Sequence, residues 1–203
     1  PASIGCFCDT CLKNFSKTVG KIYKREELVF LLKQDTKEGE EIKRKYLCWC
    51  DKVLFNLIKL IEETVHGENP NIILGLMICG GLRYNFPQYL EILRKRTNKV
   101  FVRPGGGFYS DDIPFGLIEK AITYSLQIPI LGVKKNDVVL AEIEHFPYNV
   151  PLKSKKIYST EITASIASGC NGATINISGM IPDVFFECET FIKGTKKLRN
   201  FWE

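Results

Sequence analysis

Three observations predict an α/β fold built on parallel strands. Short apolar runs alternate with longer stretches in which apolar residues recur every three or four positions. Glycine, proline or asparagine stands at most of the junctions between them. After two leading helical stretches the order runs β-α-β-α-β-α-β, the alternation that crossover helices between parallel strands produce.

The first helix is expected over residues 9–33, with Leu12, Phe15, Val19 and Ile22 at helical spacing. A longer one is expected over 40–65, where Ile42, Tyr46, Trp49, Val53, Leu57, Leu60 and Ile61 repeat the period. Asn69 and Pro70 break the chain. The continuous apolar run at 71–79 ends in glycines and suits a strand buried on both faces. Residues 86–96 follow as a helix opened by Pro87. Residues 99–103 make a strand that runs into the loop "PGGGFYSDD". The helix over 111–127 has Asp111 and Asp112 at its start and Pro114 in its first turn. A strand at 137–144, a helix at 154–168 with Ile157, Ile162, Ile166 and Ala167 inward, and a strand at 172–179 complete the series.

Four strands alone would make a small doubly wound sheet. Alternatively they are the C-terminal half of a (β/α)8 TIM barrel, a fold that needs about 250 residues. The chain begins at Pro1 without an initiator Met, and its two leading helices follow no strand. Both features favour a fragment, the half-barrel. No repeat or domain boundary stands out over 1–203. The chain reads as one partial-barrel domain, with a cysteine loop and helices over 1–66 and four βα units over 67–203. Four strands cannot close a barrel, so two open edges make self-association, a homo-oligomer, an expectation.

The chain has 203 residues, 45% of them hydrophobic and 25% charged, the composition of a soluble globular protein. No apolar span reaches the 18 or so residues a membrane helix needs, so no membrane partner is expected. The net charge of +5 comes from scattered Lys and Arg, which read as a solvated surface and not a nucleic-acid face. Eight cysteines are too few for a disulfide scaffold, and they cluster. That pattern suits thiolates in a reducing compartment, the cytoplasm.

The strand at 137–144 carries the main chemical signal. Side chains alternate along a strand, so Val138, Leu140, Glu142 and Glu144 share one face. Val139, Ala141 and Ile143 share the other and are apolar enough to meet helices. In a barrel the first set points inward, and polarity switches on toward the carboxyl end, where barrel enzymes build their sites. The other strand ends are polar too. Arg103 closes its strand and Tyr109 lies in the loop beyond, Asn85 follows the first strand, and Asn176 lies on the last. A rim of Glu, Arg, Tyr and Asn suits a polyhydroxylated, carbohydrate ligand. Phosphate binding by the glycine loop is the weaker reading. The loop lacks GxGxxG and GxxxxGK[ST], and its acids would repel an anion.

Cys6, Cys8 and Cys11 form Cys-x-Cys-x-x-Cys in "CFCDTC". Three such thiolates can converge on one Zn²⁺ where the chain turns into a helix, but a structural zinc site wants four ligands. Cys48 and Cys50 lie about 200° apart on a helix, so both cannot face one metal. Cys50 falls with the apolar residues as a core thiol. The fourth ligand lies upstream of Pro1 or is Cys48.

These features together resemble the clan A retaining glycoside hydrolase barrels, nearest to the family-42 β-galactosidases and their uncharacterised relatives. One motif is "CFCDTCLKNF", 6–15, similar to a Cys-x-Cys-x-x-Cys segment that in the family binds zinc with one earlier cysteine. The other is "EIEHFP", 142–147, similar to the end of the family's seventh strand, where the nucleophile Glu has a Pro three residues on, as Glu144 has Pro147. The resemblance implies that the four strands are the fifth to eighth. It implies a hydrolase of carbohydrate metabolism, a glycosidase with Glu144 as nucleophile and its acid/base Glu before Pro1. The family's Trp after that Pro has no counterpart in "YNVPLKS", which leaves the sugar open. Glu142 competes for the nucleophile role, and the two glutamates acting as their own pair is a weaker third option. The alternative to an enzyme is a non-catalytic carbohydrate-binding or structural half-barrel.

Overall fold

The computed structural model describes residues 5–79, 85–113, 115–144 and 153–175, with Lys193 and Lys196 beyond them. Among these residues there are six helices and four strands, and the four strands form one parallel sheet. The chain forms two compact units, Pro1–Glu63 and Thr64–Glu203.

The first unit is helical. It holds α1 (Asp9–Val19), α2 (Arg25–Lys33) and most of α3 (Lys37–Glu68). The single helix expected over 9–33 is in fact two. Gly20 sits at φ 73°, a left-handed conformation that only glycine takes cheaply, and its N–H closes on the Ser16 carbonyl. Ile22 therefore leaves the helical stripe and is 88% exposed. Leu12 and Phe15 of α1, Leu28 and Leu32 of α2, and Ile42 and Tyr46 of α3 make the core. Phe15 meets the Tyr46 ring edge-on at 4.9 Å, and Phe7 stacks on its other side at 5.3 Å. The apolar stripe of α3 is buried only at its start: Val53, Leu57, Leu60 and Ile61 are exposed.

The second unit runs β1 (Gly75–Met77), α4 (Phe86–Leu93), β2 (Phe101–Arg103), α5 (Gly116–Ile130), β3 (Val138–Ile143), α6 (Lys155–Ala167) and β4 (Gly172–Ile175). The strands stand in sequence order, β1-β2-β3-β4, all parallel. Val139, Ala141 and Ile143 are buried against Tyr124 of α5 and against Tyr158 and Ile162 of α6. The alternation read from the sequence thus assigns the helix-covered face of β3 correctly. On the opposite face Leu140 pairs with Gly172 and Glu142 with Thr174. A β-carbon on Gly172 would stand 2.8 Å from Leu140 Cδ2, so the glycine makes room for its neighbour's bulk.

Helices α5 and α6 turn differently from the sequence expectation. α5 starts at Gly116, after Asp111 and Asp112, and Asp111 instead accepts the Ser154 N–H ahead of α6 at 2.9 Å. The buried face of α6 is Tyr158, Glu161, Ile162 and Ser165, while Ala167 is exposed. Lys120, Tyr124 and Gln127 are the buried face of α5, and Ile118, Ile122, Leu126 and Ile130 are each more than half exposed. The inward polar residues Lys120 and Glu161 meet in an ion pair.

Candidate functional site

β2 pairs with β3 only at Phe101–Val138 and Val102–Val139. It then leaves as Pro104 and the glycines, while β3 runs on to Ile143. The main-chain groups at the end of β3 must find partners elsewhere. The Glu142 N–H donates to the Tyr124 hydroxyl at 3.0 Å, and the Lys120 ammonium donates to the Glu142 carbonyl. The Lys153 ammonium donates to the Glu144 carbonyl at 2.7 Å. Gln127 accepts the Gly105 N–H at 3.1 Å and steadies the departing β2 chain.

Both lysines also bind one carboxylate. Lys120 and Lys153 each lie 2.7 Å from a separate oxygen of Glu161, and none of the three side chains is more than 1% exposed. Lys153 sits over the Phe108 ring at 4.6 Å and the Tyr158 ring at 5.4 Å. Burial holds its ammonium below the usual lysine range, against the pull of Glu161. Burial likewise raises the Tyr124 hydroxyl, which keeps it a neutral partner.

Above this network stand the two carboxylates. The Arg103 guanidinium lies 3.2 Å from Glu142 Oε1, across from β2 to β3. The Glu142 carboxyl is raised above the ordinary range, first by burial, then by its hydrogen bond with the Glu144 carboxyl, and Arg103 opposes the shift. Glu142 and Glu144 are both half-buried and stand side by side at the end of the strand.

Of the residues singled out in the sequence, Glu142, Glu144 and Arg103 come together. Tyr109 lies in the loop after β2 with its ring over Gly107. Asn85 is buried at the start of α4. Asn176 and Pro147 lie outside the described residues. Sequence reasoning missed Lys120, Tyr124, Lys153 and Glu161. A signal existed for two of them: Lys120 and Tyr124 share a helical face with Gln127, opposite Ile118, Ile122 and Leu126.

The second cluster is Cys6, Cys8 and Cys11, whose sulfurs lie within 4.8 Å of one another. Cys8 is the N-cap of α1, and the Cys11 and Thr10 N–H groups turn toward its sulfur, which lowers its thiol. The Cys11 thiol is pushed up to about 12, first by burial and then by hydrogen bonds and negative charge from Cys8 and Cys6. A divalent cation among the three would reverse that repulsion, so the donor set fits a soft-ligand metal. Tyr46 of α3 donates to the Cys6 carbonyl at 2.7 Å. On that same helical face Cys50 Sγ stands 3.1 Å from where a β-carbon on Gly5 would be, whereas Cys48 is exposed.

No family model, no curated protein and no solved structure matches this chain. The chemistry available to it is that of its own residues: two neighbouring carboxyls faced by Arg103, and three clustered thiols. No helix among the described residues is long and apolar enough to cross a membrane.

Proposed function

We propose that the chain is part of a retaining glycoside hydrolase, with Glu144 as nucleophile and the acid/base carboxylate supplied from outside these residues. The observation that carries this reading is the hydrogen-bonded Glu142–Glu144 pair at the carboxyl end of β3, faced by Arg103. The half-barrel is part of the same proposal. Strands in strict sequence order support it, because a doubly wound sheet reverses its order at a switch point. In this reading the Glu144 carboxylate attacks an anomeric carbon to form a glycosyl-enzyme, while the acid/base residue outside these residues protonates the departing glycosidic oxygen. Arg103 offsets the negative charge of the pair. Glu142 then binds a sugar hydroxyl beside the reacting centre. The two glutamates acting alone is disfavoured. Carboxyls in hydrogen-bond contact are closer than the ~5–5.5 Å of a retaining pair, and both lie on one side of the sugar.

A structural zinc at Cys6, Cys8 and Cys11 belongs to this reading, closing the loop that leads into α1. The compartment is a reducing one, and the substrate a carbohydrate.

The test uses protein that includes the upstream residues, assayed on aryl glycosides. Glu144→Gly should abolish turnover, and azide should restore it as a glycosyl azide of inverted configuration. Glu142→Gln should cost less, mostly in KM. Azide rescue of Glu142→Gly instead would swap the roles. A wild type that binds sugars and hydrolyses none would favour the non-catalytic binding module.

A further inference from the structure

We propose that Lys120 and Lys153, joined through Glu161, are positioning residues for the Glu142–Glu144 pair: they hold the end of β3 clear of β2 and supply the buried positive charge that the two carboxylates face. The assignment rests on the reading of that pair as the reacting site.

The geometry sets the requirement. Because β2 turns away after Arg103, the carbonyls of Glu142 and Glu144 find no partner on β2 among the described residues, and each takes an ammonium. A neutral group would satisfy a carbonyl equally well, as the Tyr124 hydroxyl does for the Glu142 N–H. Two fully desolvated ammonium groups are a costly substitute unless their charge has a use. Within the network two cations share one carboxylate, Glu161, which leaves one positive charge in excess. Lys120 acts directly on the Glu142 carboxyl, and the two lysines together hold the main chain that carries the pair.

The groups that face the pair come from several elements. β2 contributes Arg103, and α5 contributes Lys120 and Tyr124. Glu161 of α6 and Asp111 of the loop before α5 act on the pair through Lys153. Cys170, buried beside Lys120, is neutral in its thiol form, since burial pushes it up to about 12. Arg103 and Lys120 act on the Glu142 carboxyl directly, Lys153 is held at the Glu144 carbonyl, and only the two lysines also fix the backbone.

The test is carboxyl titration by NMR in the 203-residue chain, with carbon-13 at glutamate Cδ and with Glu142→Gln and Glu144→Gln for assignment. It uses no substrate. A protein that hydrolyses no glycoside would end the glycosidase reading and leave this readout intact. In Lys120→Met and Lys153→Met the proton affinity of the pair should rise about tenfold. Lys153→Arg, which keeps the charge, should reverse most of that rise. Glu161→Gln removes the shared anion and leaves both cations, so the affinity should instead fall severalfold. A network that only packs the core would leave the pair untouched, so wild-type titration curves in the folded methionine variants would overturn the proposal. Should those variants fail to fold, Glu161→Gln decides on the same readout, and a pair whose affinity is unchanged or raised in it overturns the proposal equally.

Discussion

Asp137, with no exposed surface, accepts the Val100 N–H at 3.1 Å and the Lys134 N–H at 2.8 Å, and it pairs with the buried Arg94 guanidinium. It thus ties the start of β3 to the start of β2 and to the end of α4. Asp137→Ala would leave Arg94 buried without this partner and two N–H groups unsatisfied. It should cost about 3–5 kcal/mol in urea unfolding, and a loss under 1 kcal/mol would mean that Arg94 is solvated in solution. At the other end of the strand Glu142 carries a pH signature. Its carboxyl is raised above the ordinary value of 4.5, so the folded chain binds this proton more tightly than the unfolded one. Its contribution to stability is full below 4.5 and is lost as pH rises through the raised value. Unfolding curves measured from pH 4 to 7 should show that loss in the wild type, and Glu142→Gln should flatten it. The residue-level reading of β3 was legible because strand alternation depends only on the order of Val138 to Glu144. The upward shift of the Glu142 carboxyl was not, because it depends on burial and on how far an arginine 39 positions away in sequence offsets it.

At the scale of the elements, α1 ends at one glycine, Gly20, five residues before α2 begins at Arg25. Nothing lies within 4 Å of a β-carbon built on Gly20, so Gly20→Ala tests conformation alone. It should destabilise the first unit by about 1–2 kcal/mol, the cost of an L-residue in a left-handed cap, read by thermal unfolding. The sequence reading runs one helix through this break, because Leu12, Phe15, Val19 and Ile22 keep helical spacing across Gly20, and it does not weigh a lone glycine as a helix C-terminus signal. α5 is another case. Ile118, Ile122 and Ile130 lie outward while Lys120, Tyr124 and Gln127 lie inward, where Lys120 and Tyr124 reach the main chain of Glu142. Replacing Ile122 and Leu126 together by Lys should therefore change stability by no more than about 0.5 kcal/mol each, as at ordinary surface sites. A loss of several kcal/mol would show that this stripe is covered in solution.

For the whole molecule, the sheet order leaves β1 and β4 each with one neighbour among the described strands. Two such edges should make the 203-residue chain associate as its concentration rises, seen as an earlier elution in size exclusion. A clean monomer at high concentration with one cooperative transition would mean that the edges are covered. The sequence by itself determined the α/β alternation, the helix-facing side of β3, the placing of two carboxylates on its other side, and the gathering of Cys6, Cys8 and Cys11. Each of these follows from periodicity or short spacing, which the chain carries locally. Only the tertiary structure decided that Lys120, Lys153 and Glu161 meet, and that Tyr46 and Cys50, not Cys48, lie beside the cysteine loop. Lys120 and Glu161 are 41 residues apart, and no local period links them. What joins them is the gap where β2 leaves β3, because buried carbonyls and ammonium groups there must satisfy one another.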